Sequence, residues 1–175
     1  MNFFVYNGSI RKNGSTNNLY KSVLDHLKAK GYDYYTCEDS FSPCSNCGFC
    51  KTLRTCTKQD SFPLKDISKA SGIIIVSPIY FFNLSPKSLD FLSRLYCLNL
   101  SGKIFGLVLS SGSQFRFGGV DLIQDQFSRI DEFCGSRTAT PYNKVTFDSV
   151  TSLNETDNLG VDILIEEMRT LHNET

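Results

Sequence analysis

The chain has 175 residues, 41% of them hydrophobic, and 18 Lys plus Arg balance 18 Asp plus Glu. A net charge of zero gives no electrostatic reason to expect nucleic acid or an anionic membrane as partner. No apolar run approaches the roughly 20 residues of a membrane-spanning helix, and the length suits one domain spanning residues 1–175.

Residues 2–6 are short, aromatic and β-branched and run into Asn7-Gly8, which predicts a strand ending in a tight turn. From Thr16, the apolar residues Leu19, Tyr20, Val23, Leu24 and Leu27 recur at three and four, the mark of an amphipathic helix, and Gly31 stops it. Residues 32–37 form a second strand candidate. Residues 63–69 suit a short helix. Residues 72–77, Gly-Ile-Ile-Ile-Val-Ser, are the continuous β-branched run of a strand covered on both faces of a parallel sheet. Pro86 suits a helix start, with Leu89, Leu92 and Leu95 following at threes. Residues 103–109 are another buried strand, and 120–134 a helix carrying Leu122, Ile123, Phe127, Ile130 and Phe133. A weaker strand over 138–147 is interrupted by Pro141. Asp157 or Asn158 could cap a last helix through Leu159, Ile163, Leu164 and Met168.

Five alternations of strand and helix predict an α/β three-layer sandwich, an open parallel sheet with helices on both faces. Such sheets bind ligands beyond the carboxyl ends of their strands. Three loops fall there. The first, residues 8–17, carries Ser9, Arg11, Ser15, Thr16 and Asn17 into a helix start, where unpaired N–H groups suit a phosphate. It is neither a Walker loop, since Ser15 stands where the lysine belongs, nor a G-x-G-x-x-G fingerprint. A capped turn, with Ser15 or Asn13 as N-cap, is its plain structural alternative. The second loop, Ser77-Pro78-Ile79-Tyr80-Phe81-Phe82-Asn83, ends a buried strand in three aromatics. That fits a flat ring packed along the backbone, or core packing under the next helix. The third, residues 110–119, holds Ser111 and three glycines, of which Gly112 is the first.

Seven cysteines are present, four of them within thirteen residues: Cys44, Cys47, Cys50 and Cys56. The N-terminus lacks a basic start and a small-residue cleavage site, so a cytoplasmic location is expected, and reducing conditions favour metal or redox chemistry over disulfides. The spacing C-x2-C-x2-C-x5-C suits a [4Fe–4S] cluster first, then free or redox-active thiols, then zinc. Cys37, Cys97 and Cys134 are expected as buried small hydrophobes, and His26 and His172 as surface residues.

These motifs in this order resemble the NADPH-dependent FMN reductase family, and within it the iron–sulfur flavoprotein branch, from Met1 to about Gly135. The resemblance implies a flavodoxin-like fold with a five-stranded sheet in the order 2-1-3-4-5 and a cysteine-rich loop at 43–57. It implies FMN, with the phosphate at Ser9, Arg11, Ser15, Thr16 and Asn17. Pro78, Ile79, Tyr80 and Phe81 would lie along the ring, with Ser111 and Gly112 near its far edge. Ile10, in place of a proline, and Phe82-Asn83, in place of a small residue, depart from the pattern. The implied activity is hydride transfer from NAD(P)H to a small-molecule or protein acceptor, in a homodimer or dimer of dimers, with no catalytic side chain assigned. A flavodoxin-like electron carrier and an FMN-binding thiol sensor are the alternative readings. Carriers of that kind are usually acidic, which this chain is not.

Overall fold

The computed structural model describes residues 1–53, 55–58, 60–112, 118–145 and 155–174, the side chains of 155–157 aside. Residues 113–117 of the third loop, the end of the last predicted strand and the side chain of Asp157 therefore lie outside the described residues. The elements are β1 (Phe3–Asn7), α1 (Ser15–Ala29), β2 (Tyr34–Cys37), α2 (Phe49–Leu53), α3 (Leu64–Lys69), β3 (Gly72–Tyr80), β4 (Asn83–Leu84), α4 (Pro86–Leu95), β5 (Ile104–Ser111), α5 (Val120–Cys134), β6 (Arg137–Thr138), β7 (Tyr142–Val145) and α6 (Glu155–Asn173).

The sheet runs β2-β1-β3-β5-β6, with β7 also on β5. All of these pairings are parallel, in registers such as Val5↔Ile74 and Ile74↔Gly106. Taking β6 and β7 as the two halves of the expected fifth strand, parted at Pro141, the order is the expected 2-1-3-4-5. Side chains alternate across the sheet, as the pleat requires. Phe4 and Tyr6 face a core with Ile67 of α3, Phe91 of α4 and Phe127 of α5, while Phe3 and Val5 face one with Leu19 and Val23 of α1 and Met168 of α6. The result is the three-layer α/β arrangement.

Four local expectations are corrected. Residues 72–84 form a hairpin in which β3 extends to Tyr80 and turns back on β4. The cysteine segment contains the short helix α2 rather than loop alone. Helix α4 buries Ser88, Phe91, Arg94 and Leu95, while Leu89 is exposed, because Ser88 docks into a polar cluster under the sheet end. In α6 the buried residues are Val161, Leu164, Ile165 and Met168, and Leu159 and Ile163 face outward.

Candidate functional site

Asn7, Tyr80 and Ser111 end the three adjacent parallel strands β1, β3 and β5, so the three expected loops do emerge at one end of the sheet. The first is held tightly at its base. Gly8 N–H donates to the Val76 carbonyl at 2.7 Å, and a side chain on Gly8 would overlap the Ser88 hydroxyl, so only glycine fits there. Asn7 and Asn17 set the loop's shape. Asn7 Nδ2 donates to Asn17 Oδ1 at 2.9 Å, Asn7 Oδ1 accepts from Ser9 N–H at 3.0 Å, and Asn17 Nδ2 donates to the Lys12 carbonyl at 2.8 Å.

Helix α1 starts at Ser15 behind Gly14, an extended residue with no side chain to cap it. The expected cap by Ser15 or Asn13 is not made. The first-turn N–H groups have no partner inside a helix, and no acidic side chain sits in that turn, so this end of α1 is suited to an anion. Ser9 and Arg11 line a cavity with Asn17 of that turn, and Ser9, Arg11 and Ser15 have intermediate or high exposure. Thr16 is buried, with its hydroxyl 2.6 Å from that of Ser110, so it ties the first loop to β5.

The second loop is a two-residue turn between Tyr80 and Asn83. Phe81 and Phe82 both take positive φ, 49° and 64°. Such turns favour glycine and asparagine, and bulky residues held this way are strained. Phe81 is 96% exposed and Tyr80 and Phe82 are also exposed, which removes the core-packing explanation for these aromatics. Pro78 is buried and Ile79 half-buried, at the sheet end. Gly119, at φ 80°, lets the third loop lie against this turn, since a Cβ there would come 2.5 Å from Phe82 Cα. Ser111 is buried and accepts from Asn143 Nδ2 at 3.0 Å, while Gly112 is exposed.

Sequence reasoning missed the groups that lock these loops together. Ser85 caps α4 by accepting from Ser88 N–H, and its hydroxyl donates to the Gly8 carbonyl at 2.8 Å. Ser88 donates to Ser77 at 2.9 Å. Lys87 donates to the carbonyls of Ser9 at 3.2 Å and Glu38 at 2.6 Å, and burial pulls its pKa down. It lines a cavity of about 420 Å³ with Ser9, Arg11, Lys12 and Asn17. Ser85 before Pro86 was a legible cap signal; nothing local marked Lys87.

The four clustered cysteines line a separate cavity of about 180 Å³. Cys44 and Cys47 are exposed, and the N–H of Phe49 holds the Cys47 thiol below its usual range. Cys97 is buried as expected but is not mere filling, for it lines the same cavity. Cys37 is buried and Cys134 half-buried. Among the described residues no three Cys, His, Asp or Glu groups stand at metal-binding separation. Four soft thiol donors from one segment, lining one cavity, are nonetheless the donor type that an iron–sulfur group takes. His26 is half-buried, 2.9 Å from Asp162 across the α1–α6 contact, rather than free on the surface.

Comparisons with known proteins fit this arrangement. An iron–sulfur flavoprotein of Methanocaldococcus jannaschii is 31% identical over 83 residues, 45% of this chain and 43% of that protein, so the match spans less than half of that relative's length. A flavodoxin of Streptococcus pneumoniae TIGR4 superposes with TM-score 0.63 at 23% identity, over 96% of this chain and 97% of that one. The apo form of an NADH:FMN oxidoreductase does so with TM-score 0.65 at 16% identity, over 97% and 88%. Carriers and reductases thus share this fold, which by itself does not choose between them. The profile of NADPH-dependent FMN reductases matches residues 1–141, most of the chain, and the protein belongs to that family.

Proposed function

We propose that this protein is an FMN-dependent oxidoreductase that takes hydride from NAD(P)H and passes the electrons to a small-molecule or protein acceptor. The observation that carries this is the convergence of an uncapped helix start, an exposed aromatic turn and a glycine-bearing loop at one sheet end. Bound there, FMN would supply hydride acceptance and electron delivery. The chain's own part is to bind and orient. The N–H groups of α1, with Ser9, Arg11, Ser15, Thr16 and Asn17, hold the phosphate, Thr16 and Asn17 chiefly through their backbone because their side chains are engaged elsewhere. Pro78, Ile79, Tyr80 and Phe81 lie along the ring, and Ser111 and Gly112 at its far edge. Cys44, Cys47, Cys50 and Cys56 are the residues that would hold a [4Fe–4S] cluster, which would supply a one-electron outlet.

A thiol-sensing role is the second reading, and the exposure of Cys44 and Cys47 favours it. Protein purified anaerobically and mixed with NADH or NADPH in a stopped-flow instrument tests both. A reductase loses its oxidised-flavin absorbance rapidly with at least one nucleotide. Flavin that neither nucleotide reduces would overturn the reductase reading and leave the carrier or sensor.

A further inference from the structure

The cysteine segment is closed at its neck by a residue that no motif marks. Arg94, in the last turn of α4, is 2% exposed. Its guanidinium forks onto Asp60, Nη1 to Oδ2 at 2.7 Å and Nη2 to Oδ1 at 3.1 Å, and Nη1 also donates to the Ser42 carbonyl at 3.3 Å. The Phe62 ring lies 4.6 Å from it. Ser42 precedes the first cysteine and Asp60 follows the last, so one side chain grips both ends of the segment. Two more bonds close the same neck: Cys44 N–H donates to Ser93 Oγ at 3.0 Å, and Lys58 Nζ donates to the Pro43 carbonyl at 3.1 Å.

Arg94 also lines the cysteine cavity, where its charge interacts with Cys56. Its Nε is buried and has no hydrogen-bond partner among the described residues. An arginine stays charged under all ordinary conditions, and taking it out of water is costly unless it is paired. One face of this group is satisfied by Asp60; the other still has an N–H to give. Cys97 differs from the other four cysteines, because its thiol donates to the Arg94 carbonyl at 3.0 Å.

We propose that Arg94 is the positioning residue of the four-cysteine centre, clamping the loop's neck so that four sulfurs share one cavity, and setting a fixed positive charge against the anionic thiolate-ligated group held there. The inference rests on the iron–sulfur reading of these cysteines. A buried positive charge next to such a group favours its more negative, reduced state and so raises its reduction potential. The Cys97 thiol bonds to the Arg94 backbone carbonyl and is not one of the proposed ligands.

Wild type, Arg94→Lys and Arg94→Gln are loaded anaerobically with ferrous iron and sulfide. Iron per chain, the rate of iron release to a chelator and the midpoint potential are then compared, with FMN content and thermal unfolding reporting the fold. Arg94→Lys keeps the charge and loses the fork: iron leaves on the order of tenfold faster, the loss typical of outer-shell partners, and the potential stays near wild type. Arg94→Gln loses both, so release quickens and the potential falls. Asp60→Asn, which cuts the fork from the other side, should quicken release without lowering the potential, and it carries the test if Arg94→Gln does not fold. Cys97→Ser should keep its full iron. A loaded wild type with unchanged release and potential in the variants overturns the role of Arg94 alone. A wild type that takes up no iron overturns the cluster reading and this inference with it.

Discussion

Ser15 opens α1 with no side-chain cap ahead of it, and that makes it the most discriminating single position in the phosphate loop. A glutamate there meets the positive end of the helix dipole and should stabilise the flavin-free protein by about 0.3–1 kcal/mol. The same charge faces the proposed phosphate, and like charges near 4 Å cost on the order of 1–4 kcal/mol. Ser15→Glu should therefore weaken FMN binding by about tenfold or more in a fluorescence titration, while the apoprotein melts no lower than wild type. Unchanged affinity would place the phosphate elsewhere. Thr16 is a poorer test, because its hydroxyl is bonded to Ser110 and a charge there would be buried.

Helix α3 has only six residues and cannot satisfy its own last carbonyls. Lys103, just ahead of β5, does so from outside: Nζ donates to the carbonyls of Ile67 at 3.2 Å, Ser68 at 3.0 Å and Ala70 at 2.6 Å. Lys103→Met keeps the apolar stem and strips these bonds, and should cost about 1–3 kcal/mol in urea unfolding at neutral pH. An unchanged midpoint would mean that water replaces the ammonium without loss. The cysteine segment is tied to α4 by a carboxylate whose behaviour with pH has a definite sign. The fork from Arg94 holds the Asp60 carboxyl below its usual range. A lowered folded-state pKa contributes stability in full above the unfolded value of roughly 3.9, and loses it as pH falls through the folded value. The stability gap between wild type and Asp60→Asn should thus be constant from pH 7 to 5 and close towards pH 2. A gap that widens on acidification would show that the fork is not the cause.

At the scale of the whole molecule, several large apolar side chains are exposed on and beside the cysteine segment. Phe49 and Leu53 of α2 are exposed, and so are Tyr96 and Phe133, whose rings stack at 6.3 Å. Large exposed apolar side chains gathered in one region mark contact surfaces. With a site built on loops at a sheet end, a homodimer or dimer of dimers is the assembly expected. Light scattering at micromolar concentration should return at least twice the 19.7 kDa chain mass, and Phe133→Glu should lower it. A clean monomer mass for wild type would rule the assembly out.

Residues 72–77 and 103–109 could be read as central strands, and residues 16–31 as a helix, because each carries its own period and its own stop signal. From those elements and the loops between them the layer arrangement followed, and with it the end of the sheet at which a ligand would sit. The Phe81-Phe82 turn was not legible: its positive φ angles lack the usual glycine or asparagine, and the close approach of Gly119 to it comes from a distant part of the chain. Nor was the rotation of α4, which the apolar period set toward Leu89 and which the Ser77–Ser88 bond sets toward Phe91 and Arg94. The helix inside the cysteine segment likewise left no periodic trace in so few residues, whereas Pro141 did mark the split of the last strand. Ser85 meets Gly8 across 77 positions, and Arg94 meets Asp60 across 34. A hydrogen bond of that separation leaves no mark in local composition, since its partners are chosen only when helix and sheet have packed. The sequence by itself determined the elements and the chemistry they carry; which polar side chains lock the loops and close the cysteine neck was decided by the tertiary structure.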